Sequence, residues 1–194
     1  MKRDLITPEQ VLSFFVDEVG PKGWFVQSDE LDARIKKDYL GLWEQARAGH
    51  LNHWLQTANG TLALVTVLDQ FPRNMFREDG RAYATDPAAR KIAKRAMFRG
   101  DDLKTPEPAR MLYYMPLMHA ECSADQDASV RAFAKRVTSP NNLLHARAHR
   151  EVIRAFGRFP TRNAMMGRTS SPAELEYLES GGYGAIVQRL SANA

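Results

Sequence analysis

Two short polar segments of related sequence carry the side chains best suited to chemistry. Residues 69–74 read Asp-Gln-Phe-Pro-Arg-Asn, and residues 159–163 read Phe-Pro-Thr-Arg-Asn. The first segment follows the apolar run 62–68, which is typical of a central buried helix. Its charged groups therefore need partners, because an unpaired buried charge is costly. Arginine suits such a place, since its planar guanidinium binds a carboxylate or a phosphate through two parallel hydrogen bonds.

Both segments allow two interpretations. In the structural one, Arg73 and Arg162 donate to the last carbonyl groups of the preceding helices and close the helix ends. In the functional one, the two guanidiniums form a fork for a small anion, and Arg158 is a further candidate. The side chains that would hold or orient this fork are Asp69, Gln70, Asn74 and Asn163. The residues favour the structural role by a small margin and leave both interpretations open.

A second polar cluster surrounds His119. Residues 113–121 read Tyr-Tyr-Met-Pro-Leu-Met-His-Ala-Glu, and Gln126 follows soon after. In a loop, His119 and Glu121 would converge, and a histidine with an acidic partner can serve as a general base. We therefore predict His119 and Glu121 as a catalytic pair and Gln126 as a ligand-binding residue, with a buried structural histidine as the alternative. Trp24, in a predicted loop, is the tryptophan expected to line a pocket.

Metal, cofactor and nucleophile signals are weak. His145 and His149 are four residues apart, a spacing that metal ligands use, but a His-Glu-x-x-His pattern and a third ligand are missing. Cys122 follows His119 by three residues, but a lone cysteine in a helical protein is more often a small packed residue. The sequence also lacks a Gly-rich phosphate loop and a dinucleotide fingerprint. We therefore predict no metal and no cofactor.

A row of arginines offers a possible interaction surface. Arg147, Arg150, Arg154 and Arg158 follow at helical spacing and form one basic face. This face is either solvated and paired with acidic groups of the same chain, or it binds an acidic protein or peptide. Nucleic acid is a weaker third partner, because no known nucleic-acid motif accompanies the face and no aromatic residues interleave with its arginines.

The elements that must position these residues all have helical spacing. No segment shows the sustained alternation of a β-strand. Helix starts are predicted at Thr7, Ser28, Asn59, Asp86, Thr105, Ser123, about Leu143 and Ser171. The helix from Thr105 is expected to bend or end at Pro116, and residues 139–142 are expected to form a turn. The chain thus predicts an all-α array of about seven to nine helices, in one domain spanning residues 1–194.

Composition limits the class of protein further. Hydrophobic residues make up 44% of the 194 residues, which excludes a globally disordered chain. The single cysteine excludes an internal disulfide and suits a reducing compartment. The longest apolar run, residues 62–68, is too short for a bilayer, which takes about 20 residues. We expect a soluble, cytoplasmic protein without a membrane partner, and the net charge of +4 permits an acidic partner without requiring one.

Taken together, several segments resemble the bacterial family known as domain of unknown function 924. They are residues 11–15, 23–25, 49–54, 68–74, 115–121 and 156–163, and the Asp-Gln-Phe-Pro-Arg-Asn block is the most specific of them. The resemblance covers nearly the whole chain and implies a fold similar to tetratricopeptide-repeat proteins, an array of antiparallel helix pairs. It implies no reaction. Two positions depart from the family pattern, since Ala120 replaces a serine and Thr161 replaces a histidine.

These residues predict two classes of function. The first is the binding of a small anionic ligand, with or without catalysis, in a pocket of Arg, Asn, His and Glu side chains. The second is a non-enzymatic helical-repeat module whose concave face binds an acidic peptide or protein. The missing histidine at Thr161 weakens any scheme in which the two histidines of the family pattern share acid–base work. The sequence does not decide whether the protein is an enzyme.

Overall fold

The computed structural model describes residues 6–192, and every regular element in that range is helical. The all-α prediction is therefore confirmed for these residues. The chain folds into two compact units, one of residues up to Arg77 with Arg81–Pro116, the other of Glu78–Gly80 with residues from Leu117 onward. The single domain stays a prediction, and its residues 1–5 and 193–194 lie outside the described range. The tetratricopeptide-like arrangement also stays a prediction.

The first unit begins with the predicted capping box. The Thr7 hydroxyl accepts from the Gln10 amide, while the Gln10 side chain accepts from the Thr7 amide. Helix α1 (Pro8–Leu12) continues as a π-helical stretch, Ser13–Val19, and a short turn at Gly20–Gly23. Helix α2 (Asp29–Arg47) starts at the predicted cap Ser28. A 3₁₀ turn, Asn52–Gln56, connects α2 to the next helix.

Helix α3 (Ala58–Asp69) is the buried central helix that the apolar run predicts. It starts slightly before the predicted Asn59, because the Thr57 hydroxyl accepts from the Gly60 amide and caps it. Every residue from Gly60 to Asp69 is buried. A short helix, α4 (Phe71–Met75), follows directly, with Pro72 in its first turn, where a missing N–H group has no cost. The first polar segment thus spans the junction of α3 and α4.

The prolines after Thr105 explain why the long helix predicted there does not form. Helix α5 (Asp86–Arg99) forms as expected and ends at Gly100, whose φ is 73°. After a helical turn at Asp101–Lys104, the predicted helix from Thr105 is replaced by a 3₁₀ turn, Ala109–Tyr113, and a short helix, Met115–Met118. Pro106 and Pro108 lack the N–H groups that a continuous helix needs. Pro116 lies in the first turn of a new short helix, so it does not end one.

The second unit contains four labelled helices. They are α6 (Ser123–Arg136), α7 (Pro140–Phe156), α8 (Pro172–Glu179) and α9 (Gly182–Ala192), with a 3₁₀ turn at Pro160–Arg162. The other 3₁₀ turn, Gly80–Tyr83, belongs to the first unit from Arg81 onward. Helix α7 packs against both α6 and α9. A small apolar cluster of Val152, Ile153 and Phe159 is covered by Tyr183 and Ile186 of α9 and by two neighbouring rings.

Two predictions for this unit need correction. Residues 139–142 were predicted as a turn, but α7 already begins at Pro140, with Ser139 as the cap before it and Pro140 in the first helical position. Helix α9 was not predicted, since the Gly181-Gly182 pair indicates a helix end; the chain instead reverses there through positive φ angles and starts a new helix. The capping box of Ser171 and Glu174 is confirmed. No helix within residues 6–192 has the length and apolarity for a membrane crossing.

Candidate functional site

Arg73 in the first polar segment is held by groups of its own chain. Its Nη1 donates to the Asp69 carbonyl oxygen at 2.5 Å, at the end of α3. Its two terminal nitrogens also bind both carboxylate oxygens of Asp86, each at 2.9 Å. Burial disfavours the cation, but Asp69 and Asp86 outweigh that effect and raise the pKa of Arg73. Arg73 therefore closes the helix end and joins α3–α4 to α5.

The other side chains of the first polar segment are also engaged within the unit. The Gln70 amide donates to the buried carboxylate of Asp69. The Asn74 amide donates to Asp32 of α2 at 2.7 Å, and Arg77 pairs with the same carboxylate. This geometry is that of the structural interpretation. A ligand-binding role for Asp69, Gln70 and Asn74 stays a prediction.

Trp24 is part of the aromatic core of the first unit. Its indole Nε1 donates to the Phe15 carbonyl oxygen at 2.7 Å, and its ring stacks on Phe15 at a centroid distance of 5.7 Å. Its side chain is buried. The structure thus gives Trp24 a packing contact, while its predicted role in a ligand pocket stays a prediction.

Glu121 in the second unit fixes the start of the second polar segment. Its carboxylate accepts from the Phe159 amide at 2.9 Å and from both terminal nitrogens of Arg168, at 2.7 and 3.0 Å. Burial would raise the pKa of Glu121, but these hydrogen bonds and the charge of Arg168 lower it below its usual value. The carboxylate is thus an ionised anchor, and the predicted acid–base pairing with His119 stays a prediction.

Arg158 is bound by an acidic partner on α8. Its Nε and Nη2 bind the two oxygens of Glu174 at 2.6 and 2.7 Å, and Nη2 also donates to the Thr169 carbonyl oxygen. Glu174 additionally accepts from the Ser171 amide in the capping box. The Arg158 hydrogen bond, then that of Ser171, holds the pKa of Glu174 far below its usual value. Arg158 thus has the same kind of bidentate partner as Arg73.

Arg162 has a different environment. Its guanidinium carbon lies 4.4 Å from the centre of the Phe159 ring, a cation–π contact. Its charge also acts on Glu121 and on His149, whose pKa values it lowers. The next residue, Asn163, is buried and donates to the Ser170 hydroxyl at 3.0 Å. The Oδ1 of Asn163 is buried without a hydrogen-bond partner among the described residues.

His119 and His149 lie side by side near Arg162. Their ring centroids are 6.2 Å apart, and the His149 ring is 5.6 Å from Phe159 and 4.8 Å from Tyr183. The Nδ1 of His149 is 2.9 Å from the His145 carbonyl oxygen. Because a carbonyl oxygen only accepts, Nδ1 carries the hydrogen and Nε2 keeps its lone pair. We name His119, His149 and Arg162 the histidine site.

The electrostatics keep His149 neutral. Burial first, and then the nearby His119 and Arg162, lower the pKa of His149 to about 3. The hydrogen bond to the His145 carbonyl opposes this shift but does not cancel it. The Tyr183 hydroxyl lies 2.7 Å from Nδ1 of His145 and 3.1 Å from Nδ1 of His149, so it orients both rings. At neutral pH the histidine site therefore contains an uncharged imidazole, whose Nε2 lone pair can accept a hydrogen bond.

Gln126 holds the loop that carries His119. Its Nε2 donates to the carbonyl oxygens of Met118 and Ala120, at 2.6 and 2.8 Å, on either side of His119. The side chain is fully buried, and its Oε1 has no hydrogen-bond partner among the described residues. Gln126 thus positions His119 through the backbone on either side of it, and direct contact of Gln126 with a ligand stays a prediction.

Comparison with known proteins identifies the family. A model for a bacterial protein of unknown function (DUF924) matches residues 11–182. The chain belongs to this family. A solved structure of a protein of unknown function from Agrobacterium tumefaciens is similar to the DUF924 chain, with 36% identity and a TM-score of 0.84 over 89% of this chain and 97% of that one. No curated protein matches. The resemblance seen in the motifs is confirmed, and the family and the solved structure are both without an assigned function.

Sequence reasoning missed the role of His149, Tyr183 and Arg168 in the DUF924 chain. His149 was considered only as a metal ligand with His145, and no group of three metal-ligating side chains occurs within residues 6–192. The signal for His149 was available, since Val152, Ile153 and Phe156 follow at helical spacing and place it on the apolar face of α7. Tyr183 lies on the helix that was not predicted.

The arginine face of α7 is paired with acidic groups of the chain. Asp127 accepts from Arg150 at 3.3 Å and from Arg154 at 3.0 Å. Arg158 binds Glu174, as described above. Such pairs match the interpretation of a solvated face with intrachain partners. An acidic protein partner stays a prediction.

Proposed function

We propose that the protein binds a small anionic molecule at the histidine site. The observation that carries this proposal is the pairing of a cation with a neutral base. The guanidinium of Arg162 lies against the Phe159 ring, and the imidazole of His149 stays unprotonated beside it. A cation next to an uncharged imidazole offers a small anion both a charge and a hydrogen-bonding group.

The same site is suited to acid–base chemistry. The Nε2 lone pair of His149 can accept a hydrogen bond from a bound ligand, and His119 lies next to it as the proposed acid–base group. Glu121 acts in this scheme as a positioning residue, because it holds the Phe159 amide and Arg168. An anionic substrate with an exchangeable proton is the class that these groups would serve.

Binding of an acidic peptide or of nucleic acid through the arginine face has less support. Arg150 and Arg154 share Asp127, and Arg158 binds Glu174, so three of the four arginines have acidic partners within the chain. We further propose a cytoplasmic location, which the single cysteine supports, and a tetratricopeptide-like array, which the family resemblance supports.

A ligand screen with matched variants tests the proposal. Phosphates, carboxylates and nucleotides are screened by thermal shift against the wild type, Arg162→Met and Arg147→Met. Arg147 is an exposed arginine of α7 and serves as the control. A ligand that binds the native state raises the melting temperature. We expect at least one anion to stabilise the wild type and the control but not Arg162→Met. Equal stabilisation of all three proteins, or of none, would contradict the proposal.

A further inference from the structure

A cavity of about 380 Å³ opens on the first unit between α2 and the turn at Asn52–Gln56. It contains no residue of the histidine site. Its walls combine a buried apolar floor of Leu42, Leu51 and Trp54 with a polar rim of Lys37, Asp38, Gln45, His50 and His53. Both the volume and the mixture of an apolar floor with a few polar groups are typical of small-molecule pockets, which measure about 300–1,000 Å³.

Gly41 forms part of the cavity wall and has no packing role. It lies in the interior of α2 and is exposed. Beyond its chain neighbours and the backbone of its own helix, no described atom lies within 4 Å of the position that a Cβ would occupy there. Glycine is one of the least favourable residues in a helix interior. A larger side chain would fit the helix there and would fill the mouth of the cavity. Gly41 therefore leaves the cavity open.

The rim offers donors that an anion could use. The Lys37 ammonium forms no ion pair with another described residue. The neighbouring Asp38 carboxylate lies 3.9 Å from Nε of Arg34, whose terminal nitrogens bind Glu18. The imidazole groups of His50 and His53 add further N–H donors.

The floor favours a flat apolar body. The rings of His53 and Trp54 meet edge to face, with centroids 6.3 Å apart, and Leu42 and Leu51 complete an apolar surface. Aromatic rings pack well on such surfaces. We propose that this cavity is a second ligand site, which binds a small aromatic carboxylate with its ring on Trp54 and its carboxylate at Lys37 and the two histidines.

An NMR titration with sodium benzoate as the probe tests this site. In the wild type, the amides of residues 51–54 and the Trp54 indole shift saturably with millimolar benzoate. Lys37→Gln keeps the shape of the rim and removes its cation, so we expect affinity to fall about tenfold. Lys36→Gln, a change at the exposed neighbouring lysine outside the cavity, leaves the affinity unchanged. Benzyl alcohol, which lacks the charge, binds at least tenfold more weakly than benzoate.

Gly41→Leu tests the cavity itself. Leucine is a better helix former than glycine, so the variant unfolds at the same or a higher temperature while benzoate binding is lost. Glu44→Leu, on the same helix but outside the cavity, binds benzoate like the wild type. Benzoate shifts that are absent, that persist in Gly41→Leu, or that benzyl alcohol reproduces at equal concentration would overturn the proposal. If Gly41→Leu were misfolded, the affinities of Lys37→Gln for benzoate and of the wild type for benzyl alcohol would still test the proposal.

Discussion

The two Phe-Pro segments have similar sequences but different surroundings. In the first, Arg73 binds Asp86 and the Asp69 carbonyl, and Asn74 binds Asp32. In the second, Arg162 packs on the Phe159 ring and acts electrostatically on His149, while the Oδ1 of Asn163 is buried without a partner among the described residues. The arginine and asparagine alone therefore do not determine the contacts of a segment, because these contacts depend on the side chains that other parts of the fold bring near.

Replacement of each arginine by methionine gives the largest expected difference in stability between the two segments. Side chains of Arg73 and Asp86 are only 20% and 16% exposed, so Arg73→Met leaves two carboxylates, Asp69 and Asp86, near each other and without their cation. We expect a loss of about 3 kcal/mol in the free energy of unfolding. Arg162→Met removes the cation–π contact with the Phe159 ring, and we expect a smaller loss of about 1 kcal/mol. Urea denaturation measures both, and equal losses would mean that the two segments do the same structural work.

Acid sensitivity of the second unit gives an effect of intermediate size. The folded pKa of Glu121 is below its usual value, so the carboxylate stabilises the fold above about pH 4.3, its unfolded pKa, and loses this effect as the pH falls further. We expect Glu121→Gln to cost about 2 kcal/mol at pH 7, where charged hydrogen bonds are lost, and progressively less below pH 4. Stability against pH is measured by urea unfolding.

Glu151→Gln is the matched control for Glu121→Gln. Glu151 pairs with Arg189 at an exposed position, where side chains are 38% and 54% accessible. Exposed pairs contribute about 0–1 kcal/mol. The wild type and this control should therefore have parallel pH profiles, and a Glu121→Gln profile parallel to them as well would refute the anchoring role of Glu121.

Protonation of His149 gives the smallest predicted effect at neutral pH. Its pKa is about 3 in the folded chain and about 6.5 in the unfolded one, so the unfolded chain binds the proton first. Stability therefore falls as the pH drops below 6.5, by up to about 1.4 kcal/mol per pH unit, and His149→Gln removes this contribution. The ring resonances of His149 should show no titration between pH 5 and 8. A midpoint near 6.5 would show that the ring is not held neutral.

Local patterns predicted most of the helices but few of the contacts. The capping boxes at Thr7 and Ser171 and the buried helix before Asp69 depend on neighbours in the sequence, so the sequence reveals them. The helix expected after Thr105 failed because Pro106 and Pro108 outweigh the cap signal there. Helix α9 was missed because a glycine pair can either end a helix or reverse the chain into another one.

The partners of the polar residues could be identified only from the three-dimensional structure. Asp86 reaches Arg73 from 13 residues away, and Arg168 reaches Glu121 from 47 residues away. Nothing in the local sequence identifies these distant partners. The pairing of His119 with His149 is likewise a contact between distant parts of the second unit, although the apolar face of α7 indicated that His149 points inward.

The most direct test of the histidine site follows its ring resonances during titration with inorganic phosphate. We predict saturable shifts of the His119 and His149 signals in the wild type and in Arg147→Met, and an affinity at least tenfold lower in Arg162→Met. Arg162→Met must remain folded under these conditions, as its small expected loss of stability allows. Shifts of equal size and affinity in all three proteins, or no shifts in the wild type, would contradict the assignment of Arg162 and the two histidines to an anion site.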